Sequence, residues 1–327
     1  MTVTKPAFLL FFWLTFVAAK AFADPLWQDE LGWLKTMAFA AHQTDYSGTF
    51  VYQYGNHVES SRITHIAGRD GEHGRLESLD GVRREIIRDN DQVQSFLGDR
   101  KVKSEECPSG REFPVLLPGQ LSLLNENYII KPEAEGRVAG FHAHAVLLQP
   151  KDNLRYSHRM WAHSDSGLLL KAEVLDERGR VIEQYAFTQL TIGGNIDRSW
   201  IVPGKPVSAS SAQKKAHSVR KAQESGAASG WQVDMLPAGF KKIAEVRRQL
   251  GSKKTGVIQI VYSDGLAGIS VFIEAAEGED DDHPGLSSQG ALQVYSKVID
   301  DHLVTVVGEV PPRTVMQIVD SLRYGGK

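Results

Sequence analysis

Turn-forming clusters punctuate the chain from Tyr46 to Ile192, and the runs between them are rich in β-branched and aromatic residues. Residues 49–54 (TFVYQY) end at Gly55-Asn56. Residues 58–66, 83–88 and 92–97 follow, with Asp80-Gly81 and Asp89-Asn90-Asp91 among the turns. Further runs at 138–149, 156–163, 168–176 and 181–192 are separated by turn-forming residues at 150–153, 164–167 and 177–179. Turns at this spacing are the rhythm of a meandering antiparallel sheet or barrel. No helix-length pattern separates the runs, which argues against parallel βαβ units. Residues 101–136 read as mostly irregular, with a helical turn or more within 116–125.

A helix is expected before the first strand. Asp24-Pro25 makes a good N-cap and first-turn pair. Trp27, Leu31, Leu34, Ala38 and Ala41 then share one face at a 3.6-residue period. One covering helix over so long a sheet leaves a concave face incompletely filled. Two faces are therefore candidates for lining a cavity for an apolar ligand: Phe50, Tyr52 and Tyr54, and Leu168, Leu170 and Val174. The same residues would equally serve as ordinary core.

Ahead of that helix, Lys5 precedes an apolar run at 7–19, and Ala21-Phe22-Ala23 closes it. A basic start, a short apolar stretch and an Ala-x-Ala end describe a secretory signal peptide cleaved after Ala23. The run is shorter than the ~20 residues of a membrane-spanning helix.

Composition shifts at residues 203–230, which hold six Ser, three Gly and two Pro, with five basic residues against one acid. Such a stretch cannot build a core and reads as a linker. Its cluster Lys214, Lys215, Arg220 and Lys221 is a candidate contact for an acidic partner. Residues 231–327 make a second unit. A hairpin is expected at 257–262 and 268–275, two more elements at 289–298 and 302–310, and a closing helix carrying Val315, Ile318, Val319 and Leu322. The fold class is mainly β with helices (α+β): a large antiparallel β domain at 24–202 and a smaller α+β domain at 231–327.

Catalytic templates are absent: no Gly-x-Ser-x-Gly elbow, P-loop, His-Glu-x-x-His or Gly-x-Gly-x-x-Gly occurs. The single cysteine, Cys107, excludes an internal disulfide and a Cys-rich metal centre. Two preceding glutamates would raise its pKa, which argues against a nucleophile. His142-x-His144 lacks an evident third ligand. The acids at 277–282, followed by His283, lack the spacing of a calcium loop. No cofactor and no metal are expected, and the formal charge of −3 gives no drive toward nucleic acid.

Several contiguous strings resemble the MucB/RseB family. They are YSGTFVY at 46–52, LESLDGVRRE at 76–85, PKDNLRY at 150–156, SGLLLK at 166–171, SDGLA at 263–267, SVFIE at 270–274 and VTVVGEVP at 304–311. They occur in order across both units. The resemblance implies a periplasmic, non-enzymatic negative regulator of the sigma-E (AlgU) envelope-stress response. Such a protein binds the periplasmic part of a membrane-spanning anti-sigma factor of the RseA/MucA type and shields it from regulated proteolysis. It also implies a LolA/LolB-like half-open barrel that senses lipid or lipopolysaccharide, and a possible homodimer. On this reading the second unit makes most of the partner contact, and Ser263, Asp264, Gly265 and Glu309 join the linker lysines and arginine as candidate partner-binding residues. The alternative, suggested by the first domain alone, is a periplasmic lipid or lipoprotein carrier.

Overall fold

The computed structural model describes residues 30–90, 92–98, 100–102, 113–118, 121–201, 229–248, 256–276 and 285–325. The expected leader, Trp27, Cys107, nearly all of the linker and the acidic run at 277–282 with His283 lie outside them. Among the described residues no helix is long and apolar enough to cross a membrane.

The first helix, α1 (Glu30–Gln43), buries Trp33, Leu34, Met37, Ala38, Ala40 and Ala41 on its inner face. Eleven strands then form one antiparallel sheet. They are β1 (Tyr46–Tyr54), β2 (His57–Gly68), β3 (Gly71–Ser78), β4 (Arg84–Asp89), β5 (Gln92–Leu97), β6 (Arg100–Val102), β7 (Tyr128–Val138), β8 (Phe141–Pro150), β9 (Ser157–His163), β10 (Leu169–Leu175) and β11 (Val181–Ile192). The spatial order is β6-β5-β4-β3-β2-β1-β11-β10-β9-β8-β7. It is a meander with a single long-range join, β1 to β11, in which Tyr46 pairs Ile192 and Tyr54 pairs Glu183. The sheet curls around α1, which touches β2 on one wing and β7 and β10 on the other. Its edges do not close, so the fold is a half-open barrel.

Two expectations need correction. Residues 128–136 were expected to be irregular and instead belong to β7. Pro132 and a register shift between Glu133 and Gly136 hide the strand signal, and both are tolerated on an edge strand. The run at 138–149 is not one strand: Ala139 and Gly140 both take positive φ (49° and 88°) and turn the chain between β7 and β8. The helical turn expected within 116–125 is α2 (Ser122–Asn127), one turn later.

The second sheet is formed by β13 (Lys241–Arg248), β14 (Val257–Ser263), β15 (Gly268–Ala275), β16 (Gly285–Gln289), β17 (Leu292–Ile299) and β18 (His302–Gly308), in the order β13-β14-β15-β18-β17-β16. The β14–β15 hairpin matches the expected one. Pro311 ends the strand run, and Pro312 opens α3 (Pro312–Asp320), where a missing N–H costs nothing. Thr314, Val315, Ile318 and Val319 are its buried residues. A short pair, β12 (Trp231–Val233) with β19 (Leu322–Tyr324), ties the start of the unit to its end.

Candidate functional site

Alternation along β1 sends Phe50, Tyr52 and Tyr54 to the inner side of the curved sheet. Their neighbours on β11 follow the register, so Tyr52 faces Tyr185 and Tyr54 faces Glu183. The result is an aromatic track. Phe113 lies 5.0 Å from Phe50 and stacks on Tyr185 at 5.6 Å; Tyr185 stacks on Tyr52 at 4.6 Å, and Tyr52 meets Tyr54 at 5.4 Å. Phe113 is 2% exposed, so the segment at 113–117 acts as a second cover beside α1.

Beyond that cover the inner face is open. A solvent-open cleft runs over Ile63, Leu76 and Ile86, with Phe113, Pro114 and Val115 as one wall. Ile63 pairs Leu76, and Leu76 pairs Ile86, so the floor is one apolar row across β2, β3 and β4. Gly74, next along β3 on the same face, leaves room where a side chain would stand. Tyr46, His65, Glu72 and Arg88 form the polar rim. Glu72 lies 3.2 Å from His42 Nδ1 and 3.1 Å from His65 Nε2. Burial opposes its charge, but these two histidines hold its carboxyl below the usual range. His65 Nδ1 lies 2.8 Å from the Thr44 carbonyl and its ring stacks on Tyr46 at 5.0 Å, which fixes α1 to this end of the sheet.

The opposite end of the track meets the second domain. The turn at 289–291 sits against Tyr54 and Glu183. Ala291 N–H donates to Glu183 Oε2 at 3.0 Å, and Gln289 Nε2 donates to the Tyr54 hydroxyl at 3.0 Å. Glu183 also bonds Tyr52; burial first, and then this carboxylate, push the Tyr52 hydroxyl well above its ordinary pKa. Gln293 Nε2 donates to the Tyr156 hydroxyl at 3.3 Å. Burial chiefly raises that phenol to about 12.

A second contact lies under the β14–β15 turn. Arg155 and Asp264, with side chains 1% and 0% exposed, pair at 2.6 Å between Nε and Oδ2. Tyr128 donates its hydroxyl to the same oxygen at 3.0 Å. Asp264 Oδ1 accepts from the N–H groups of Leu266 (2.9 Å) and Ala267 (2.8 Å). Arg155 also donates to Asp152 and to the Ala238 carbonyl, and lies 4.9 Å over the Phe240 ring. Burial disfavours the guanidinium, yet Asp264 and then Asp152 raise its pKa. Gly239, at φ +82°, leaves no space for a Cβ against Asn127. A third contact comes from α3: Thr314 Oγ1 donates to the Leu154 carbonyl at 2.9 Å, and Arg313 pairs with Glu177 at 2.5 Å.

The expected site residues fall out as follows. Phe50, Tyr52 and Tyr54 point inward, but none of them borders the open cleft, because the Phe113 segment and the 289–291 turn cover them. Leu168 and Leu170 are fully buried in the first core. Val174 packs with Tyr156 and Ala291 where the domains meet. Ser263, Asp264 and Gly265 form the β14–β15 turn against the first domain, where Asp264 is fully buried and paired with Arg155 and Tyr128, while Ser263 and Gly265 are half-buried. Glu309 is half-buried, its N–H donating to the Gly268 carbonyl at 3.3 Å. Lys214, Lys215, Arg220 and Lys221 lie outside the described residues. Phe113, Arg155, Glu183 and Gly290 were not singled out, although Arg155 sits inside the PKDNLRY string. Among the described residues no group of three His, Cys, Asp or Glu side chains could hold a metal, and His144 instead lies 3.3 Å from Glu135.

The matches to known proteins span both units. The family model for the MucB/RseB N-terminal domain matches residues 29–205, and that for the MucB/RseB C-terminal domain matches residues 225–323. The sigma factor AlgU regulatory protein MucB of Pseudomonas aeruginosa is 32% identical over 302 residues, covering 90% of this chain and 91% of the relative. The sigma-E factor regulatory protein RseB of Haemophilus influenzae is 26% identical over 298 residues, covering 89% and 90%. Among solved structures, MucB in complex with MucA(peri) superposes with a TM-score of 0.72 at 29% identity, covering 90% of this chain and 98% of that one. MucB alone superposes with a TM-score of 0.64 at 28% identity, covering 91% and 98%.

Proposed function

The chain belongs to the MucB/RseB family, and from that premise we propose that it is an exported, periplasmic negative regulator of a sigma-E-type stress response. It binds the periplasmic region of a membrane-spanning anti-sigma factor and shields that region from proteolysis. Residues 24–202 form its lipid-sensing domain, 203–230 a linker, and 231–327 the domain that contributes most to partner capture. Lipid and self-association are parts of the same reading. It acts by binding and not by catalysis.

The observation that carries this reading is the match, over 90% of the chain, to MucB caught with the periplasmic part of MucA. The apolar cleft supports the lipid part. It has a hydrocarbon floor, a polar rim and one open side, the arrangement that takes up an acyl chain and leaves a headgroup in water. The lipid site is accordingly assigned to Ile63, Leu76 and Ile86, with the face at Phe50 lying behind the Phe113 cover. Co-purification of the mature protein with the anti-sigma periplasmic region, with and without added lipid, tests the proposal. Capture of the region, and its release by lipid, is the expected result. Lipid uptake with no capture would make the protein a carrier instead.

A further inference from the structure

We propose that the second-domain turn at 289–291 is a removable plug in the barrel of the first domain, so that a long acyl chain and the docked second domain exclude one another. This rests on the lipid reading of the cleft and adds how occupancy is transmitted.

The cleft opens at the Tyr46 end of β1, and the plug sits at the Tyr54 end. Eight residues of extended strand separate these two, about 27 Å. The aromatic track joins them without a break, through Phe113, Tyr185 and Tyr52. A short chain reaches no further than the cleft. One of about 24 carbons, displacing Phe113 and following the track, spans that distance and arrives at Tyr54 and Glu183, where the turn already lies.

The turn is built to sit there. Gly290 has φ +60°, and a Cβ on it would stand 2.8 Å from Glu183 Oε2 and 3.0 Å from Tyr54 Cβ. Glu183 is only 4% exposed, and its Oε2 takes the Ala291 N–H. Withdrawal of the turn removes that donor from a buried carboxylate, so the plugged state is favoured in the absence of ligand. A ligand that reaches the plug therefore binds the unplugged state better, and that differential affinity is what shifts domain position.

Isothermal titration of the mature protein with decanoate and with nervonate, a 24-carbon acid, tests this, beside spin-label distances in a Cys107→Ser background. The labels are placed at exposed Val93 and Val298, one in each domain, through Val93→Cys and Val298→Cys. Gly290→Glu forces the plug out by bulk and by charge repulsion against Glu183. If the plugged state holds about nine-tenths of the molecules, this variant tightens nervonate about ten-fold and leaves decanoate unchanged. In the unaltered interface, nervonate lengthens the interdomain distance and decanoate does not. Nervonate binding with an unchanged distance and an unchanged affinity in Gly290→Glu overturns the plug while sparing the lipid reading. Failure of both acids to bind overturns the lipid reading and the plug with it. Should Gly290→Glu not fold, the distance measurement on the unaltered turn decides alone.

Discussion

At the scale of single residues, the Arg155–Asp264 pair is the most exacting feature. Both side chains are withdrawn from water, and Asp264 Oδ2 takes both Arg155 and Tyr128. Removing one partner of a buried pair leaves an uncompensated charge. Asp264→Ala should therefore cost about 3–5 kcal/mol in urea unfolding monitored by fluorescence. Glu245 gives a pH prediction. Burial works against its charge, but hydrogen bonds from Lys242 and from Ser229 lower its carboxyl pKa to about 2. A depressed carboxylate adds stability that is full above its unfolded value near 4.5 and is lost as pH falls toward 2. The second domain should lose stability across that window, and Glu245→Gln should flatten the loss in a series of urea midpoints. Asp264 also shows why its role was not legible in the string SDGLA. A polar turn residue reads as surface until the domain it enters is known.

Elements decide where open space lies. Shared faces were legible, since Phe50, Tyr52 and Tyr54 alternate along one strand, but alternation alone does not say which face turns inward. Nor was the cover legible. Phe113 comes from a stretch with no periodic pattern, and it reaches β1 and β11 only through the tertiary fold. It moves the vacancy from the aromatic face to the row Ile63, Leu76 and Ile86, two strands further along. Phe113→Ala should cost about 3–5 kcal/mol in thermal or urea unfolding and should widen the cleft along the track. Gly74→Val is the complementary change. A Cβ there meets its nearest neighbour, the Thr64 carbonyl oxygen, at 3.5 Å, an ordinary contact, so the strand accommodates it while the cleft fills. Stability should hold and decanoate affinity should drop several-fold in calorimetry. β7 was missed for a related reason. Pro132 and the shift before Gly136 break the alternation that identifies a strand, and only an unpaired edge permits both.

For the whole molecule, composition at 203–230 implied two units on a loose tether, whereas the contacts describe two units held together at three places. The β14–β15 turn engages Arg155, the 289–291 turn engages Glu183, and the start of α3 engages Leu154 and Glu177. Individual surface ion pairs such as Arg313–Glu177 add ~0–1 kcal/mol, so the two buried contacts dominate. Family membership was legible because its strings run through both units in order. Interdomain geometry was not, since even the hydrogen bond from Arg155 to the Ala238 carbonyl spans 83 positions. The central claim is capture of an anti-sigma factor. Its most direct test is calorimetric titration of the mature protein with the periplasmic region of the membrane anti-sigma factor from the same genome, repeated in the presence of nervonate. The prediction is saturable binding that nervonate weakens; absence of any binding heat, with no co-elution of the two proteins, would contradict it.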